Sequence, residues 1–565
     1  MIFMEEERTA GEASEMPLGA ADRAACLSCL FLFAIPWLNP FARGPSSSVD
    51  PWLTSAACMA VAFGVARSQA PRAALMLALA GLAVWAAVRT GVTPDTVALA
   101  AACALMGLAA GFGGFACPRP LWLRAIAWSW VAASGASTLI ALCQYFGATD
   151  AFAPWFNGSA AGEAFGNLRQ RNQFASLTVI GIAALFWLRA MGQPRWFVLP
   201  ALAWLAIGDA ATTSRTGLAQ LLLLGGLAAL WPGARRERML LWIVALAAYV
   251  FAALALPLLL QAATGSAGNA LWDRVAAVDA CSSRRVLWAN VLHLIADRPW
   301  LGWGWGELDY AHYMTLYAQP RFCDILDNAH NLPLHLAVEL GVPAAALGCV
   351  GIAVAVIRSA PWREADATRQ MAWTVVAVLT VHSLLEYPLW YGPFEIALGL
   401  CLGLLWPAAR AAHAGGSRHP MRAAARVVTA GAAVAACLYA GWDYRRVSQI
   451  YLPVEARAPG YADPLPEIRR SRLFRNQALF AELTITPLTA ANAQWTFDTA
   501  SALLHYSPEP RIIEKVIESA VVLGRNDDAL MHIARFRAAF PDEYAEWSKE
   551  QRRCASCPDQ GSAAR

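Results

Sequence analysis

The stretch Met239–Gln261, MLLWIVALAAYVFAALALPLLLQ, decides the fold. No charged side chain interrupts it, and Arg235-Arg-Glu-Arg238 stands immediately before it. A run of this length matches the roughly 20 apolar residues that carry a helix across a bilayer core. A helix there satisfies its own backbone groups, which lipid demands. Comparable runs recur outward from it, near 24–42, 53–67, 73–89, 95–115, 122–146, 173–190, 196–212, 216–232, 332–357, 371–391, 393–410 and 424–442. Several are short for a full span, which leaves room for re-entrant segments among them.

Composition points the same way. Of 565 residues, 58% are hydrophobic and 15% charged, and the mean hydropathy is +0.41. A soluble chain carries about 25% charged residues. These values exclude a disordered protein, a coiled coil and an ordinary soluble enzyme. A net charge of +4 is too small to imply a nucleic-acid partner. The expected fold class is all-α: a polytopic membrane protein with about 13 transmembrane helices plus a small helical C-terminal periplasmic domain.

Arginine placement sets the expected orientation, because short cytoplasmic loops collect positive charge. One set of loops carries Arg67/Arg72, Arg119/Arg124, Arg189/Arg195, Arg235/Arg236/Arg238, Arg358/Arg363/Arg369 and Arg410/Arg418/Arg422/Arg426. The opposite set includes 147–170, the turn near Ser214, 261–331 and the turn near Tyr391, and is expected to face the periplasm. Residues 1–23 are acidic and lack a basic n-region and cleavage site, so they are expected to be cytoplasmic, with the first span a signal-anchor. The expected division is then 1–23, a transmembrane domain over 24–442 with the periplasmic loop 261–331, a periplasmic helical domain over 443–551, and a disordered tail over 552–565. Amphipathic periodicity predicts helices at 466–482, 489–506, 510–523 and 527–540. Ser519–Phe540 reads as a helix–turn–helix resembling half a tetratricopeptide hairpin, without a clear 34-residue period.

Chemistry concentrates on the periplasmic side. Arg171 closes the mouth of a span in Asn167-Leu-Arg-Gln-Arg-Asn172, and Arg215 sits in Thr212-Thr-Ser-Arg-Thr-Gly217 between two spans. Arginine this close to lipid tends to face a cavity or partner, and its planar fork suits phosphate oxygens. Scattered loop arginines such as Arg274, Arg298 and Arg321 read more simply as solvated. Pro299-Trp-Leu-Gly-Trp-Gly-Trp-Gly306 lacks the strand context of a dinucleotide fingerprint. Its glycines suit tight backbone packing and its tryptophans an interfacial belt. Asp324-Ile-Leu-Asp-Asn-Ala-His-Asn-Leu-Pro-Leu-His335 offers a His-Asn pair at a helix start, placed for proton chemistry. The spacing of Asp324, Asp327, His330 and His335 matches no zinc pattern, so no metal is expected. In His382-Ser-Leu-Leu-Glu-Tyr-Pro-Leu-Trp-Tyr391, Pro388 is expected to break the helix. His382 and Glu386 stand four apart, which serves a polar lock between helices as well as catalysis.

Together, Arg284–Trp288, the glycine run to Gly306, His330-Asn331 and Glu339-Leu-Gly341 resemble the core of the O-antigen ligase and polymerase superfamily. Gln170-Arg-Asn-Gln-Phe-Ala175, the segment ending Leu-Glu-Tyr-Pro-Leu-Trp-Tyr391 and the helical C-terminal region narrow the likeness. They resemble the bacterial general O-oligosaccharyltransferases that glycosylate pilins and other periplasmic proteins. The resemblance implies an enzyme of the inner membrane that moves an oligosaccharide en bloc from undecaprenyl diphosphate to Ser or Thr hydroxyls. It implies no cofactor and no metal. By position, His330 would be the base or acceptor-orienting group. Arg171, Arg215 and Arg284 would bind diphosphate, with Arg285 as alternate to Arg284. Gln170 and one of Tyr387 or Tyr391 would orient donor or acceptor. The implied partners are the lipid-linked donor, a pilin-like acceptor and the bilayer. The alternatives are a lipopolysaccharide O-antigen ligase, then an O-antigen polymerase, then a lipid-linked sugar transporter.

Most of the 13 cysteines sit in apolar runs (Cys58, Cys103, Cys143, Cys349, Cys401 and Cys437 among them) and read as small core residues. Cys281 and Cys323 lie in the expected periplasmic loop, where disulfides persist. They are either bridged or two independent thiols, and sequence spacing does not choose between these. Cys554 and Cys557, near the terminus, are poorer candidates for a structural role.

Overall fold

The computed structural model describes residues 20–42, 45–66, 72–265, 281–407 and 420–556, the side chains of 20–23, 420–423 and 554–556 excepted. Arg67, Arg274, Arg410, Arg418 and Cys557 therefore lie outside the described residues. So do residues 1–19 and 557–565 of the two expected terminal segments.

The described residues form helices and no strand. The first nine are α1 (Ala20–Leu38), α2 (Val49–Val65), α3 (Ala73–Thr90), α4 (Pro94–Ala116), α5 (Pro120–Tyr145), α6 (Arg171–Ala190), α7 (Arg195–Ala211), α8 (Arg215–Leu230) and α9 (Arg235–Thr264). The large loop contributes α10 (Arg284–Asp297) and α11 (Leu308–Met314). After it come α12 (Leu332–Leu340), α13 (Val342–Ser359), α14 (Ala367–Ser383), α15 (Gly392–Leu405) and α16 (Pro420–Ser448). The C-terminal region adds α17 (Leu465–Ile468), α18 (Arg475–Ile485), α19 (Ala493–Leu503), α20 (Pro510–Val522), α21 (Asn526–Ala539) and α22 (Pro541–Ser556).

Among the described residues, seven helices are long and apolar enough to cross a membrane, and four shorter ones are apolar. The chain is a multi-pass membrane protein. Phe251, Leu254 and Leu258 on α9 and Leu347 and Ile352 on α13 are largely exposed, as lipid-facing side chains are. Nearly all of α6 is buried, which makes it the hub of the bundle. Helices α4 and α15 meet backbone to backbone. A Cβ on Gly113 would lie 2.2 Å from the Leu400 carbonyl oxygen, and one on Gly403 would lie 2.1 Å from that of Ala110. Small residues permit this approach where no hydrophobic force drives helices together.

Two expected spans change shape. The run 332–357 is broken at Gly341, whose φ is +91°, into α12 and α13. The run 371–391 stops at Ser383, and Pro388–Trp390 forms a short 3₁₀ turn beyond it. The glycine run explains the first break. Trp303 N donates to the Val338 carbonyl at 2.8 Å, Gly304 N to Glu339 at 2.9 Å, and Val342 N to Pro299 at 2.8 Å. A Cβ on Gly302 (φ +66°) would lie 2.4 Å from the Glu339 carbonyl. The expected tight packing is present, but it is against the α12–α13 junction. Of the tryptophans expected to form a belt, Trp300 is exposed. Trp305 is buried and stacks on Trp390, and Trp303 donates inward to the Leu294 carbonyl at 2.9 Å.

Cys281 and Cys323 are bridged, with Cα atoms 5.4 Å apart. Of the apolar-run cysteines, Cys349 departs from the expected core position and is exposed.

In the C-terminal region the expected helix 466–482 is split. Asp443 at the end of α16 accepts from Ser471 Oγ, Arg472 N and Leu473 N at 3.0–3.2 Å, so the chain wraps this carboxylate before α18 begins. The Ser519–Phe540 hairpin forms as expected, and α22 runs past residue 552 to Ser556. The core of this region closes around Tyr313 of the large loop. Tyr313 Oη lies 2.9 Å from His532 Nδ1, Arg535 Nε donates to the Met314 carbonyl at 2.9 Å, and Tyr310 stacks on His505.

Candidate active site

Arg171, Arg215 and Arg284 are each the first residue of a helix. The residue before each is a cap. Gln170 Oε1 accepts from Gln173 N at 3.2 Å, Ser214 Oγ from Gly217 N at 3.0 Å, and Ser283 Oγ from Val286 N at 3.4 Å. A helix start presents unpaired N–H groups and the positive end of the helix dipole. Three arginines at three such ends make an environment for a multiply charged anion.

Hydrogen bonds tie these ends together. Ser214 Oγ donates to Asn172 Oδ1 at 2.6 Å, and Asn172 Nδ2 donates to Glu386 Oε1 at 3.3 Å. Arg284 forms an ion pair with the same oxygen. The other carboxylate oxygen, Oε2, lies 2.7 Å from His330 Nδ1. Glu386 is therefore a junction between α6, α10 and the His330 loop. It lies beyond the end of α14 and is 8% exposed. Burial pushes its carboxyl up, but the His330 hydrogen bond and the nearby Arg284 guanidinium outweigh burial and hold it below its ordinary value.

His330 has a left-handed backbone, φ +50°, unusual for a residue with a side chain. Three contacts hold it there. Its N–H donates to Asn328 Oδ1 at 2.8 Å, Asn331 Nδ2 donates to the Leu384 carbonyl at 3.1 Å, and Trp288 Nε1 donates to the Ala329 carbonyl at 3.1 Å. Asn331 also caps α12 through Leu334 N at 3.1 Å. The Tyr387 ring meets the His330 ring edge-on at 5.0 Å, and Tyr391 stacks on Tyr387. Nε2 of His330 has no hydrogen-bond partner among the described residues. A small cavity close by, whose wall does not include His330, is lined by Asn328, Leu332, His335, Ser383, Glu386, Tyr387 and Trp390.

The expected residues fare unequally. His330, Arg284, Tyr387 and Tyr391 gather around Glu386. Arg171 stands next to Asn172, pairs with Glu163 through Nη2, and keeps a buried Nη1 without a partner among the described residues. Arg215 stands next to Ser214 and is exposed. Arg285 is also exposed. Neither Arg215 nor Arg285 has an ion pair among the described residues, and of the 284/285 doublet it is Arg284 that pairs with Glu386. Gln170 uses its side-chain oxygen as a cap. His335 and His330 face different carboxylates, His335 meeting Glu339 at 3.4 Å and His330 meeting Glu386. Among the described residues no group of three His, Cys, Asp or Glu side chains is arranged for a metal ion.

Sequence reasoning left Asn172 and Glu163 out of the site and weighed Glu386 only beside His382, as a polar lock or a catalytic pair. Asn172 and Glu386 lie inside the motifs quoted above, and a carboxylate beside Tyr-Pro after a helix end was the available signal. His382, expected on the same side as Glu386, is the interhelix lock: its Nδ1 meets Ser176 Oγ at 2.8 Å, and Ser176 meets Gln220 Nε2 at 2.8 Å.

Comparison with known proteins follows the same map. A protein glycosylation ligase family model matches residues 164–188, which hold Gln170 to Asn172. An O-antigen ligase model matches 200–349, which hold Arg215, Arg284 and His330. A model described as virulence factor membrane-bound polymerase, C-terminal, matches 370–555, which hold Glu386 to Tyr391. The likeness to protein-glycosylating members of the O-antigen ligase superfamily is shown. Two relatives come from Acinetobacter baylyi. A ComP-specific O-oligosaccharyltransferase is 26% identical over 289 residues, 50% of this chain and 51% of the relative. A general O-oligosaccharyltransferase is 28% identical over 122 residues, 21% of each. The chain spans about half the length of the first relative and about a fifth of the second. No solved structure matches the chain.

Proposed function

We propose that this protein is an O-oligosaccharyltransferase that transfers a preassembled glycan from undecaprenyl diphosphate to Ser or Thr hydroxyls of periplasmic proteins, pilins among them. The observation that carries the reading is the tie between three arginine-bearing helix starts and the His330 loop through Asn172 and Glu386. In this reading the thirteen helices α1–α9 and α13–α16 cross the inner membrane, and the loop and C-terminal region lie in the periplasm.

The chemistry is a substitution at the anomeric carbon. The acceptor oxygen bonds to that carbon, the carbon–oxygen bond to the diphosphate breaks, and the acceptor proton passes to His330 Nε2. The hydroxyl is a poor nucleophile, so a positioned base helps. The diphosphate leaves with added negative charge, which Arg171, Arg215 and Arg284 stabilise. Tyr387 and Tyr391 line the approach to His330, and Gln170 holds the α6 start that presents Arg171. No step calls for a metal. The C-terminal helical region favours a protein acceptor over a lipid one. An acceptor competition tests this: the purified chain receives the lipid-linked donor with a pilin and a lipopolysaccharide core together. Glycan on the pilin supports the proposal, whereas glycan on the core alone makes the protein an O-antigen ligase.

A further inference from the structure

Glu386 binds two groups of opposite duty with its two oxygens. Oε2 meets His330 Nδ1 at 2.7 Å, and Oε1 takes Arg284 and the Asn172 amide. We infer that Glu386 is a positioning residue that sets both the proton-accepting face of His330 and the availability of Arg284. The inference rests on the function proposed above.

A carboxylate only accepts hydrogen bonds, so the imidazole proton of neutral His330 belongs on Nδ1. The lone pair then lies on Nε2, the nitrogen with no partner among the described residues and the one that takes the acceptor proton. When Nε2 is protonated in the transfer step, the imidazolium formed keeps an anion against its far edge. Without the carboxylate, the Nε2–H tautomer becomes accessible and cannot accept a proton at that position. The left-handed backbone of His330 points to the same need, since the surrounding contacts hold the residue in a sparsely populated conformation.

On the other side, Glu386 competes with the donor. Arg284 is paired to it and is 40% exposed, so an arriving diphosphate shares or replaces the carboxylate as the guanidinium's partner. Asn172 and His330 continue to hold Glu386 while Arg284 turns to phosphate. The two duties predict effects of opposite sign. Loss of the carboxylate impairs proton acceptance but releases Arg284 to bind phosphate.

The test uses full-length protein in detergent, with Glu386→Gln as the isosteric variant and Glu386→Ala as the truncation. Turnover is measured with lipid-linked donor and protein acceptor, and affinity is measured separately with inorganic pyrophosphate. Turnover should fall on the order of 100-fold in both variants, the scale of positioned proton transfer. Pyrophosphate should bind as tightly as to wild type or tighter, and Glu386→Asp should recover part of the turnover. Near-normal turnover in Glu386→Gln overturns the inference. So does a parallel loss of turnover and pyrophosphate binding in both variants, which marks a merely structural role. A wild-type chain that binds pyrophosphate but transfers no glycan refutes the proposed function instead.

Discussion

Cys281 and Cys323 are bonded across the large loop, and the bond lies three residues before Arg284 and seven before His330. It ties the start of α10 to the loop that carries the candidate base. Closing a loop with a sequence separation of 42 is worth about 3–4 kcal/mol in the chain-entropy model.

Thiol labelling checks the bond directly. In denatured protein that has not been reduced, Cys281 and Cys323 should stay unlabelled and react only after reductant. Replacing both with Ser should lower the thermal midpoint and weaken transfer, with His330 and Arg284 themselves unchanged. Labelling of both thiols without reductant contradicts the bridge.

Alanine variants of the site should separate by role. His330→Ala should abolish transfer while the chain inserts and folds. Arg171→Ala, Arg215→Ala and Arg284→Ala should each slow transfer roughly 100- to 1,000-fold, the effect of losing one charge-stabilising donor. Initial rates with purified variants test this. Near-normal turnover by His330→Ala removes it from the mechanism.

The site was only partly legible in the sequence. Arg171 and Arg215 were readable because each breaks an apolar pattern on the side where positive charge is rare, whereas Arg284 followed only from the family resemblance. His330 was readable from its place at a helix start. The tie of Glu386 to His330 and Arg284 was not, because these partners stand 56 and 102 residues away and no local period brings such residues together. Helix periodicity even pointed elsewhere, by carrying α14 through Glu386 and pairing it with His382. The apolar runs located the helices, but hydropathy does not register the Gly341 break, which depends on the backbone of residues 299–304 lying against it. The split near 471 was invisible for the same reason: Asp443 gathers that turn from 28 to 30 residues away.

The joint between the large loop and the C-terminal region should be acid-sensitive. Burial first, then the charge of Arg535, pushes the His532 imidazole down from 6.5 to about 4. Between those values the unfolded chain holds the proton and the folded chain does not, so stability is lost as pH falls from about 6.5 toward 4. His532→Gln keeps a partner for Tyr313 without a titrating ring and should flatten that loss. Protease nicking of residues 307–315 as a function of pH measures it, and an unchanged acid profile in His532→Gln contradicts it.

Orientation is open to a reporter fusion. A periplasm-dependent reporter joined after residue 460 should be active, and one joined between α7 and α6, near Gln193, should be silent. The reverse pattern inverts the proposed topology.

The central claim is that this chain moves a whole glycan from a lipid diphosphate to a protein hydroxyl. The most direct measurement is the intact mass of a purified pilin after incubation with the reconstituted chain and an undecaprenyl-diphosphate oligosaccharide of known mass. The account predicts a single increment equal to the complete oligosaccharide less water of condensation, mapped to Ser or Thr and absent with His330→Ala. A pilin of unchanged mass, with the oligosaccharide extended on its own lipid carrier, contradicts it.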